Sequence, residues 1–107
     1  MRKVYVAHPF GGSDENKNKA QEIIHQLVVR YPDTCFISPI HTFGWMYGHV
    51  DEYVAMEWCF ALLEDCDKLI LCPGWERSPG CRRERAYAKI CKIPIVELPN
   101  TEGECHG

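Results

Sequence analysis

Lys68-Leu69-Ile70-Leu71-Cys72, followed after a short loop by Ser78-Pro79-Gly80-Cys81-Arg82-Arg83-Glu84, is the stretch that decides how this chain folds. The first run is apolar without alternation after its lysine, as in a strand buried on both faces. The second run opens a helix. Ser78 is a good N-cap and Pro79 suits the first helical position, where its missing N–H costs nothing. Gly80 leaves the neighbouring backbone uncovered, so the helix start offers donors and a partial positive charge to an anion. Glu84 follows one turn after Gly80 on the same side. A carboxylate just beneath a phosphate-type cradle is an arrangement suited to chemistry on a phosphorylated sugar.

A helix glutamate is ordinarily solvated or paired with a basic residue three or four positions away. Around Glu84 those positions hold Gly80, Cys81, Tyr87 and Ala88, none of them basic. Its face also carries Cys81, Ala88 and Cys91, the small apolar side expected to pack on the sheet. Arg82, Arg83 and Lys89 mark the solvated side. An unpaired carboxylate on the core side is expensive unless it serves a site, so Glu84 is expected to be functional.

Outward from this stretch, strands and helices alternate. Lys3 to Ala7 reads as a strand. Ser13 caps a helix with Asp14 and Glu15 in its first turn, and Ala20, Ile23, Ile24, Leu27 and Val28 recur at helical spacing as its core face. Thr34 to Ser38 is a second strand, Pro39 to Val50 an aromatic-rich loop, and Asp51 the cap of a second helix reaching about Asp65. Leu69 to Cys72 is the third strand, Pro79 to Cys91 the third helix, and Ile93 to Leu98 a fourth strand. This order predicts an α/β fold: a small parallel-sheet, three-layer Rossmann/flavodoxin-like sandwich of about four strands and three helices, with right-handed crossovers. Ligands of such sheets sit beyond the carboxyl ends of the strands. The loops His8-Pro9-Phe10-Gly11-Gly12-Ser13 and Pro73 to Pro79 should therefore converge. There is no GxGxxG and no GxxxxGK[ST], which removes the dinucleotide-fingerprint and P-loop readings.

At 107 residues the chain is read as one domain, residues 1–98, followed by a polar, frayed tail from 99 to 107. Hydrophobic content of 46% and charged content of 25% are those of a soluble globular protein. A net charge of -3 argues against a nucleic-acid polymer as partner. No apolar run is long enough for a membrane span, and Met1-Arg2-Lys3 leads directly into a strand, so neither a membrane anchor nor a signal peptide is expected. The seven cysteines form no CxxC pair and fall mostly at apolar periodic positions. Reduced thiols in a cytoplasmic protein, with no metal or other cofactor, are the expectation.

Val4-Tyr5-Val6-Ala7-His8-Pro9-Phe10-Gly11-Gly12, then Cys66-Asp67-Lys68-Leu69-Ile70, then Ser78-x-Gly80-x-x-x-Glu84 followed by Ala86 and Ala88, together resemble the nucleoside 2-deoxyribosyltransferase superfamily. That group includes the nucleoside 5′-monophosphate N-glycosidases. The resemblance covers nearly the whole chain in the same order, and its last motif is the most specific. It implies that Glu84 is the nucleophile on the anomeric carbon. It also implies that Ser78, where transferases acting on free nucleosides carry an aspartate, binds a 5′-phosphate. Gly11 and Gly12 match the first phosphate loop, with His8 in the same turn. The superfamily's second acid lies eight residues before the Asp67-type aspartate, and that position here is Cys59. Glu57 and Asp51 are the available substitutes. Asp67 itself matches a structural aspartate at a strand entrance, and Arg85 stands where a small residue is usual.

The implied reaction is cleavage of an N-glycosidic bond, or transfer of its base, on a nucleoside 5′-monophosphate. The phosphate would lie at Ser78, Gly80 and Cys81 and at the Gly11-Gly12 loop. Phe10, Trp45 and Tyr47 would sandwich the base. The alternative is a non-catalytic binder or sensor of a nucleotide or nucleotide-derived signal, with Cys59 as its best support. The aromatic-rich segment from Phe43 to Tyr53 suggests a homo-oligomer, a dimer by resemblance.

Overall fold

A computed structural model describes residues 1–99. Its elements in chain order are β1 (Arg2–Ala7), α1 (Asp14–Arg30), β2 (Thr34–Ile37), α2 (Pro39–Phe43), α3 (Glu52–Leu63), β3 (Lys68–Leu71), α4 (Pro79–Ile90) and β4 (Ile95–Glu97), with single 3-10 turns at Gly44–Met46 and Trp75–Arg77. The four strands form one all-parallel sheet in the order β2-β1-β3-β4. The fold is the expected small three-layer Rossmann/flavodoxin-like α/β sandwich.

The register pairs Tyr5 with Leu69 and Ala7 with Leu71. Alternation along each strand sends Tyr5, Ala7, Leu69 and Leu71 to one face, where Leu63 of α3 and Cys81 and Ala88 of α4 complete a single buried cluster. Val4, Val6 and Ile70 point the other way, to the face that a right-handed crossover gives to α1. The chain leaves β1 towards β2 and then returns across the sheet to β3, so the topological switch lies between β1 and β3. The loops after these two strands carry the glycine pair and Ser78.

Three expectations are corrected. The segment after β2 is a fourth helix rather than loop: Ser38 caps it by accepting the His41 N–H, Pro39 occupies its first turn, and Thr42 Oγ1 donates back to the Ser38 carbonyl. That is the same serine–proline start as at Ser78, and a helix of little more than one turn is too short to show a hydrophobic period. Val28 is 46% exposed and only Ala20 of α1 is fully buried, because one helix covers that whole side of the sheet. Cys91 is exposed, since α4 ends at Ile90 and the chain turns away through Lys92 at φ 60°. The tail proposed for 99–107 lies, from residue 100 onward, outside the described residues. Among the described residues no helix is long and apolar enough to cross a membrane.

Candidate active site

Ser78 does what the sequence asks of it: its Oγ accepts the N–H of Cys81 at 3.2 Å, and Pro79 follows at the first helical position. This fixes α4 against the end of β3, and the 3.6-residue period then turns Cys81, Glu84 and Ala88 inward. Glu84 is 5% exposed. Its one hydrogen-bond donor among the described residues is the phenol of Tyr5, itself wholly buried in β1.

The electrostatics follow from that burial. Removal from water pushes the Glu84 carboxyl up to about 7, and the Tyr5 hydrogen bond, which favours the anion, holds it from rising further. Burial and then the charge of Glu84 raise the Tyr5 phenol well above its ordinary value, so Tyr5 acts as a neutral donor. Cys59 of α3 lies near enough to feel both groups. Its thiol is raised to about 11, by burial first and then by Glu84.

Glu84 and Cys59 border a cavity of about 480 Å³ whose other walls are mostly aromatic and aliphatic. α3 supplies Glu52, Ala55, Met56 and Cys59, at i, i+3, i+4 and i+7, together with Trp58, to this wall. The α2 segment supplies Phe43 and Tyr47, and Tyr47 meets Phe10 edge-on with ring centroids 5.4 Å apart. The loop after β1 closes the end of the cavity. It is held by the Ser13 N–H and the Asn16 side chain, both donating to the Phe10 carbonyl, at 3.0 and 3.1 Å. Gly11 and Gly12 take φ of +58° and +76°, which L side chains rarely adopt. Gly12 also lies directly under Tyr47, where an added Cβ would come within 2.6 Å of the ring. Gly80 is different: a Cβ there would meet only Met56 Sδ at 3.9 Å and Ser78 Oγ at 4.0 Å, so the space beside it is open cavity.

His8 is 8% exposed and lies where the two loops meet. Its Nδ1 donates to the Pro9 carbonyl at 2.7 Å, which leaves Nε2 as its free polar atom. Burial, and the nearby Lys19 charge, lower its pKa, so the ring is neutral at pH 7.

The structure thus brings His8, Phe10, Gly11, Tyr47, Ser78, Gly80, Cys81 and Glu84 to one cavity. It does not bring the others, and Gly12 packs under the Tyr47 ring without lining the cavity. Glu57 is exposed, two residues and so about 200° around α3 from the cavity-facing Ala55. Asp51 caps α3 by accepting the Tyr53 N–H at 2.8 Å. Trp45 is 75% exposed and donates to the Thr42 carbonyl. Asp67 is structural: its carboxylate accepts the Lys3 N–H at 2.8 Å, at the sheet's opposite end. Sequence reasoning missed Tyr5 and Glu52. A tyrosine in an otherwise aliphatic buried strand was the available signal, because a buried phenol needs a partner.

The fold and the site define a small α/β protein with a cavity at the switch point of a parallel sheet and a buried carboxylate in its wall. Residues 2–97 match the family model described as a domain of unknown function (DUF4406), and the chain belongs to that family. No curated protein is significantly similar to it.

Proposed function

We propose that this chain cleaves the N-glycosidic bond of a nucleoside 5′-monophosphate, with Glu84 as nucleophile. The observation that carries this reading is the Tyr5-bonded, 5%-exposed Glu84 in the wall of an aromatic-lined cavity, one turn beyond Gly80 of the Ser78 helix start. Ser78, Gly80 and Gly11 hold the phosphate, with Gly12 supporting that turn beneath Tyr47, and Phe10 and Tyr47 flank the base. The ionised Glu84 carboxylate bonds to C1′ while the C1′–N bond breaks and its electron pair leaves with the base, which takes up a proton. Water then attacks C1′, gives up a proton and releases the carboxylate. Transfer follows the same course with a second base in place of water.

Glu52 replaces Glu57 and Asp51 as the acid within reach of the cavity, and solvent is the other proton source. The protein is read as cytoplasmic, with a dimer formed through the exposed aromatics near the cavity, of which Tyr47 is 58% and Tyr53 64% exposed. A second reading, a nucleotide-binding module without turnover, is favoured by one observation. Cys59, raised to about 11, stands beside Glu84 where a proton donor would be useful.

Wild type and Glu84→Gln are each incubated with ribo- and deoxyribonucleoside 5′-monophosphates and the matching nucleosides, and free base is measured chromatographically. The expected result is release by wild type, favouring monophosphates, and a loss on the order of 10³-fold or more in the variant. Release from nucleosides alone would overturn the phosphate assignment. Binding of a monophosphate without release, with or without an acceptor base, would establish the binding module instead.

A further inference from the structure

On the far side of the loop after β1 lies a second cavity, of about 640 Å³. It shares His8, Phe10, Gly11, Ser78 and Pro79 with the Glu84 cavity, so the proposed phosphate position opens onto both. The chemistry of the two differs sharply. Where the Glu84 cavity is walled mostly by aromatic and aliphatic side chains, with Glu52 and Arg83 as its other charged residues, the second presents Lys19, Asn16 and Gln26 from α1 and Arg77 from the loop after β3, with Glu22 as its one carboxylate. Among the described residues the Arg77 guanidinium has neither a hydrogen-bond acceptor nor an ion-pair partner, and Arg82 alongside it reaches only the backbone carbonyl of Glu76. Lys19 has only the exposed Glu15, at 3.3 Å. One unpartnered guanidinium and one ammonium held only by an exposed carboxylate, beside a phosphate cradle, suit a further phosphoryl group, and a cavity of this volume is on the scale of a whole small ligand rather than of one oxyanion.

We propose that the second cavity is a subsite for a second phosphoryl group and what it carries, so that the ligand class is the nucleoside 5′-diphosphates and their conjugates. The inference rests on the reading of Ser78 and Gly11 as the site of the first phosphate. The nucleoside lies against Glu84, the α-phosphate at the shared wall, and the β-phosphate between Arg77 and Lys19. A substituent on the β-phosphate extends towards Asn16 and Gln26.

The test uses the Glu84→Gln protein, so that ligands are not consumed. Each common ribo- and deoxyribonucleoside 5′-monophosphate and its matching diphosphate is titrated calorimetrically at one ionic strength. The expected result is that the diphosphate of the preferred nucleoside binds roughly tenfold more tightly, the ordinary worth of a charge-assisted hydrogen bond. Arg77→Ala, made in the same background, removes most of that gain and Lys19→Ala part of it. Arg82→Ala, which deletes an equal charge outside the cavity, keeps it. Equal affinity for mono- and diphosphate, or a gain untouched by Arg77→Ala, overturns the subsite while leaving the monophosphate reading in place. Failure of both ligand classes to bind overturns that reading and this one together.

Discussion

Helices α1 and α4 begin alike and end in different surroundings. Each leaves the carboxyl end of a central strand, and each is capped by a serine whose Oγ accepts the N–H three residues on at 3.2 Å. Their first turns differ: α1 opens with Asp14 and Glu15, whereas α4 opens with Pro79 and Gly80 and no acid. Their inner faces differ as well. α1 buries only Ala20 fully and leaves Val29 69% exposed, while α4 buries Cys81, Glu84 and Ala88. A serine cap is enough to start a helix. What makes a helix start useful to a ligand is an unclaimed dipole and a reactive group one turn further in. In α1 two carboxylates already occupy the positive end; in α4 that end is left open and the carboxylate is moved into the core.

The largest expected effect concerns that displaced carboxylate. With Glu84 raised from 4.5 to about 7, the folded chain keeps a proton over this range that the unfolded chain has already released. Stability therefore falls as pH rises through the window and levels off above it, by on the order of 3 kcal/mol in all. Glu84→Gln abolishes the loss, so its advantage over wild type in chemical denaturation should widen from pH 4.5 to above pH 7. A constant difference across the range would mean that Glu84 is no costlier to ionise in the folded chain than in the unfolded one.

Tyr5→Phe comes next. It removes the donor to Glu84 and so raises the carboxyl further, leaving less of the attacking anion at neutral pH. Base release at pH 7 should drop roughly tenfold, and the acid limb of the pH–rate profile should move to higher pH. A lower rate with an unmoved limb would show that Tyr5 merely fills space.

The two caps then test each other. Ser13→Ala and Ser78→Ala should each cost about 1 kcal/mol in thermal or chemical unfolding. Only Ser78→Ala should also reduce the preference for monophosphates over nucleosides in the base-release assay. Equal effects on that preference would erase the distinction between the two helix starts.

The smallest effect is that of Gly80→Ala. Alanine in a helix is favoured over glycine by up to about 1 kcal/mol, and the new methyl meets no protein atom closer than 3.9 Å. The variant should unfold at slightly higher denaturant yet bind monophosphate less well. Tighter binding would show that the amides of this turn are not approached by a ligand.

Much of this arrangement was legible in the chain. Ser78, Pro79 and Gly80 carry local preferences that act whatever surrounds them, and the helix they start turns Glu84 inward by period alone. The candidate acids were less legible. Glu57 lies two residues before Cys59 and Asp51 at the helix start, but which residues of α3 face the cavity depends on how the helix is rotated over the sheet, and that rotation selects Glu52. Trp45 belongs to the same case, since its segment curls into a short helix that turns the indole outward.

What the sequence by itself determined is the alternation of parallel strands and helices, the capped starts of α1 and α4, and the inward direction of Glu84. All three follow from interactions within a few residues. What only the tertiary structure decided is the pairing of Tyr5 with Glu84, 79 positions apart, and the meeting of two unlike cavities at Ser78. Those depend on the β2-β1-β3-β4 strand order, which sets β1 beside β3 and so lets one strand's tyrosine reach the next strand's helix. No local preference encodes that distance; the register of the sheet does.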